Sequence, residues 1–126
     1  MIGKVLDGSS LSAMVRGQWS AAAWLTTARA LSAPLYLPSL AVQEVRTVRP
    51  DAGGELAELL GHPSVVLADA DAVTARRIDE VLSERSVFDG LAGHVVVIAR
   101  TRGWPVLTAD PGRLRRLDPE VVVDLL

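Results

Sequence analysis

The stretch GWPVLTADPGRLRRL, Gly103 to Leu117, decides how the rest of the chain is read. A short apolar run, Val106-Leu107, ends in Thr108-Ala109-Asp110, and Pro111 follows at once. Aspartate ahead of proline is a common helix start: the carboxylate accepts from free N–H groups, and proline fits the first helical position. An aspartate at the end of a buried parallel strand also stands where α/β proteins place ligand chemistry. Cap or ligand is therefore decided by what else the chain sends to that place.

Working outward, strands alternate with helices. Ile2–Leu6 reads as strand 1, closed by Asp7-Gly8-Ser9-Ser10, with a helix from about Leu11. Trp19–Leu31 has helical spacing and stops at Ser32-Ala33-Pro34. Leu35–Leu37 is strand 2, and Pro38-Ser39 opens a helix through Glu44 to about Val48. After an interruption at Asp51-Ala52-Gly53-Gly54, a short helix covers Glu55–Leu60, and Val65–Leu67 is strand 3 at a sheet edge. Asp71 caps a helix over Ala72–Leu82 with Val73, Ile78, Val81 and Leu82 on its apolar face.

His94–Ala99 alone has β character, with three valines and an isoleucine. Its length and punctuation favour a buried helix, Phe88–Arg102. Ser86 and Asp89 have capping-box spacing, and Arg100, Arg102 and Gly103 suit a helix C-terminus. Val106–Thr108 is then strand 4, Pro111–Leu117 a short helix, and Val121–Val123 strand 5. Strands that are continuous apolar runs between helices predict a parallel sheet covered on both faces.

The bulk numbers bound the function. A chain of 126 residues, 49% hydrophobic and 22% charged, fits one globular domain spanning 1–126. A net charge of −2 supplies no global field for nucleic acid or anionic membrane. Lys4 is the only lysine, the other basic side chains being arginine, a bias that GC-rich coding alone would produce. With no cysteine there is no disulfide framework, zinc ribbon or thiol nucleophile. No apolar run reaches spanning length and no signal-peptide pattern is present, so a cytoplasmic, membrane-free protein is the expectation.

Right-handed crossovers in such a sheet send four acids to one edge, beyond the strand ends. Asp7 follows strand 1, Glu44 lies early in the helix after strand 2, Asp89 heads the helix that leads into strand 4, and Asp110 ends strand 4. Taken singly each has a structural reading: a turn, a solvated helix face, a capping box, a cap. Together they repel one another unless a cation sits among them or some are protonated. An all-oxygen donor set suits Mg²⁺ or Mn²⁺, ions that activate water and neutralise a phosphodiester. Asp69 and Asp71 also follow a strand and are read as turn and cap.

These segments resemble the PIN domain family, the nuclease fold of VapC-type toxins and related ribonucleases. The resemblance rests on VLDGSS (5–10), PSLAVQE (38–44), VFDGLAGHVVVIARTRG (87–103) and PVLTADP (105–111), in that order along nearly the whole chain. It implies a three-layer α/β/α sandwich around a five-stranded parallel sheet of order 3-2-1-4-5. It also implies metal ligation and catalysis by Asp7, Glu44, Asp89 and Asp110, steadied by Ser9 and Thr108. The implied activity is divalent-metal-dependent RNA hydrolysis by a homodimeric toxin held by a small antitoxin. Two features depart from the pattern: Gly112 and Arg113 stand where many members carry a further acid, and the region between strands 2 and 3 is short.

Other features are weighed against this. Arg113 and Arg116, with Arg115, either contact RNA phosphates or form a solvated helix face offset by Asp118 and Glu120. His94 is read as a core or boundary residue and His62 as part of a turn. Of Trp19 and Trp24, one is expected in the core and the other at an interface. A dinucleotide-binding unit lacks its glycine fingerprint after strand 1, and an aspartyl phosphatase would need an acid where Ser9 stands. A response-regulator receiver would need a lysine at a late strand end, and the only lysine is Lys4. The competing class is a non-catalytic PIN-like module acting through protein contacts.

Overall fold

The computed structural model describes residues 2–126. Its strands are β1 (Lys4–Leu6), β2 (Leu35–Pro38), β3 (Val65–Ala68), β4 (Val106–Thr108) and β5 (Val123–Leu125). They form one sheet of order β3-β2-β1-β4-β5 with every pair parallel. The helices are α1 (Gly8–Val15), α2 (Trp19–Leu31), α3 (Ser39–Val48), α4 (Gly53–Leu60), α5 (Ala72–Arg85), α6 (Gly90–Arg102) and α7 (Pro111–Arg115). This is the predicted sandwich and strand order.

Side chains alternate across the sheet, so neighbouring strand residues enter different cores. Val5 and Val106 pack under α5, α6 and α7 with Ile78, Val81, Val95, Val96 and Leu114. Leu6, Leu35 and Leu37 face α1, α3 and α4 with Leu11, Val42, Val45 and Leu56. α6 is buried almost all round, from Ala92 through Val97 and again at Ala99. Burial by α3, α5 and the sheet overrides the β preference of its valines. A glycine at 93 lets α5 come close, since a Cβ there would sit 3.0 Å from Ile78 Cγ2 and 3.3 Å from Leu82 Cδ2.

Several boundaries differ from expectation. α1 starts directly after Asp7 rather than at Leu11, because the Asp7 carboxylate accepts from Ser10 N and caps it. Gly53 and Gly54 lie inside the first turn of α4, behind a 3₁₀ turn at Pro50–Ala52, rather than breaking the helix. α5 runs on to Arg85, and Ser86 ends it in a left-handed conformation instead of capping α6. α6 therefore begins at Gly90, with Asp89 as the cap. β5 starts two residues later than read, since Val106 pairs with Val123. Val73 is exposed rather than on the apolar face of α5. Neither Trp19 nor Trp24 is core: Trp19 is exposed and Trp24 half-buried, with Lys4 Nζ 4.9 Å from its ring centre.

Candidate functional site

β1 and β4 are neighbours, with Leu6 aligned on Leu107. The next residues, Asp7 and Thr108, therefore meet at the switch point of the strand order, although 101 positions separate them. Thr108 Oγ1 donates to Asp7 Oδ2. Ser9 Oγ donates to Asp7 Oδ1 at 2.6 Å, Ser10 N at 2.9 Å and Ser10 Oγ at 3.2 Å. A carboxylate only 5% exposed is thus supplied with donors on both oxygens, as a buried charge requires. Ser10 was not singled out from sequence, although its place three residues after an aspartate at a helix start is the signal for it.

Thr108 also accepts from Asp110 N at 2.9 Å, and Ser9 Oγ accepts from Ala109 N at 2.9 Å. Both hydroxyls therefore link the β1 end to the β4 end. Asp110 itself is exposed and caps α7, accepting from Arg113 N at 3.4 Å.

Glu44 stands on α3 with its Oε2 directly over Gly8: a Cβ on Gly8 would lie 2.0 Å from it. A side chain at 8 would push this carboxylate away from the segment beside Asp7. Asp89 caps α6 through Ala92 N, at 3.2 Å. Arg113 lies between the two acids. Its Nε and Nη2 donate to Asp89 Oδ2 and Oδ1 at 2.8 and 3.0 Å, and its Nη1 donates to Glu44 Oε1 at 2.6 Å. The hydrogen bond from Arg113 holds the Asp89 carboxyl below its usual range. In turn the guanidinium is pushed above its ordinary value, chiefly by Asp89 and then by Glu44. A recess of about 190 Å³ opens beside them, lined by Gly8, Ser9, Ser12, Glu44 and Arg113 among others.

The four acids thus lie at the same edge, but in two arrangements. Asp7 and Asp110 are joined through Thr108, whereas Glu44 and Asp89 are joined through Arg113. Among the described residues no three acidic or histidine side chains are grouped closely enough to hold one ion. The donor chemistry still fits a hard divalent cation: all-oxygen ligands, with Glu44 and Asp89 already facing one shared positive charge. Arg113, read from sequence as an RNA contact or a solvated face, is instead committed to these carboxylates. Arg116 is exposed.

The remaining groups fall outside the site. His94 is fully buried, with Nδ1 accepting from Leu40 N at 3.4 Å. Asp71 caps α5 by accepting from Thr74 N at 2.8 Å. Asp118 pairs with Arg100 at 3.0 Å. No helix among the described residues is long and apolar enough to cross a membrane.

No family model matches the chain, and no curated protein matches it either. Among solved structures it is similar to a chain of VapBC2 from Rickettsia felis, a structure in which that complex is bound to a DNA fragment from its promoter. The TM-score is 0.71 at 14% identity, covering 99% of this chain and 98% of the other. At that identity the shared property is the architecture: the chain has the PIN-like fold, with the same layers arranged around the edge where Asp7 and Thr108 meet.

Proposed function

We propose that the chain is a divalent-metal-dependent endoribonuclease of the VapC toxin type, acting at Asp7, Glu44, Asp89 and Asp110. The observation that carries this reading is Asp7: a buried carboxylate at the switch point of the strand order, oriented by Ser9, Ser10 and Thr108. A cap alone would need only the Ser10 N–H. The additional tie from β4 holds the acid in one orientation, which is what a ligand needs and a turn does not.

Mg²⁺ or Mn²⁺, when bound, would activate water for in-line attack and offset phosphodiester charge. Asp7, Glu44, Asp89 and Asp110 are the residues that would hold it, through carboxylate oxygens only. Ser9 and Thr108 orient Asp7 and the backbone of Asp110. Arg116 is free to meet a phosphate, whereas Arg113 can do so only after leaving its acids. The likeness to VapBC2 supports a small antitoxin partner, and the assembly proposed with it is a homodimer.

One observation favours a second reading, a non-catalytic binding module: Arg113 is already an ion-pair partner of both Glu44 and Asp89. Incubation of structured RNAs with the protein in Mn²⁺, Mg²⁺ or EDTA, beside Asp7→Asn, separates the two. The nuclease reading expects cleavage in Mn²⁺ or Mg²⁺ that is abolished by EDTA and by the substitution. Cleavage surviving either would sink it, and cleavage of no RNA would favour the module.

A further inference from the structure

Arg113 is the residue at the candidate site for which a metal-bound state has least use. Its fork engages both oxygens of Asp89, one of which also caps α6, and its third contact takes one oxygen of Glu44. The guanidinium is half-buried, so these charge-assisted bonds are weakly screened and geometrically demanding. They place a positive charge at hydrogen-bond distance from two acids that come from different elements, α3 and the start of α6. A divalent ion held by those acids would compete with the guanidinium for Asp89 and for Glu44 Oε1, and two cations there would repel each other.

We propose that Arg113 is a resident counter-cation, and that loading of the site is an exchange in which the guanidinium leaves Glu44 and Asp89 as a divalent ion arrives. The inference rests on the metal-site reading above and adds a mechanism for it. Without a metal, Arg113 holds α3, α6 and α7 together at the cleft and keeps the acids from repelling. With metal, that task passes to the ion. Arg113 thereby sets how much divalent ion the protein needs before its site assembles.

The test is a Mn²⁺ titration of the full chain followed by electron paramagnetic resonance, which reads bound against free ion without any substrate. Wild type, Arg113→Gln and Arg113→Lys are compared, with circular dichroism to check folding. Removing the competing charge should tighten Mn²⁺ binding by about tenfold or more in Arg113→Gln. Arg113→Lys should fall between, because a point charge keeps the attraction but loses the fork. In EDTA, Arg113→Gln should melt below wild type, and Mn²⁺ should raise its Tm by more than it raises the wild type's. If Arg113→Gln does not fold, Arg113→Lys carries the comparison. Equal or looser Mn²⁺ binding in the variants overturns the exchange while leaving the metal site standing. Absence of Mn²⁺ binding to wild type and variants alike overturns the metal site and the exchange with it.

Discussion

Asp7 and His94 are both buried polar side chains, and they are satisfied to different degrees. Asp7 meets donors from Ser9, Ser10 and Thr108, so removal of one leaves a partner without its match. Thr108→Val keeps the shape and deletes the hydroxyl that also receives Asp110 N, and should cost about 1–3 kcal/mol in urea unfolding. Thr108→Ser should recover most of it. His94 accepts from Leu40 N, while its Nε2 has no hydrogen-bond partner among the described residues. Burial pushes its pKa below the ordinary 6.5, with Asp69 and Asp71 opposing. The unfolded chain then binds a proton that the folded one refuses, so stability is full above pH 6.5 and falls as the pH drops below it. Unfolding of His94→Gln across this range should show a shallower slope, whatever its absolute stability. Asp89 adds a later loss, below its usual 3.8, because Arg113 depresses its pKa in the folded state.

At the scale of elements, α6 shows both the reach of the sequence and its limit. Its helical character against a valine-rich composition was legible from punctuation, since Arg100, Arg102 and Gly103 end a helix and Asp89 begins one. Its first turn was misplaced because Ser86, matched to a capping box, serves instead as the left-handed end of α5. One hydroxyl residue between two helices fits either role, and the tertiary path of the chain chooses. The acids were legible because topology alone carries them to one edge. The Arg113 contact was not, because a long flexible side chain five bonds from its backbone can reach several partners. The α5–α6 contact gives a prediction at this scale. Gly93→Val should destabilise by about 1–3 kcal/mol, as its branches meet Ile78 and Leu82. Gly93→Ala should lie near neutral in the same urea experiment, since a helix-propensity gain of about 1 kcal/mol opposes the tighter contact.

For the molecule as a whole, a net charge of −2 means that attraction to RNA must be local. Arg116 is exposed, and its neighbour Asp118 is engaged by Arg100. Arg116→Ala should weaken RNA binding evenly across sequences, and should reduce the slope of log affinity against log salt by about one, measured in EDTA by fluorescence anisotropy. The tie between Thr108 and Asp7 also bears on the order in which the molecule is assembled. β1 lies at the centre of the sheet, yet one of its two partners, β4, begins only at Val106. Closing so long a loop is entropically expensive and slow, so this pairing belongs late in folding. During synthesis β1 can pair with β2 early, but Asp7 receives no donor from β4 until Thr108 has left the ribosome. A chain made beside ribosomal and messenger RNA would then complete its acidic cleft only after β4 has been translated.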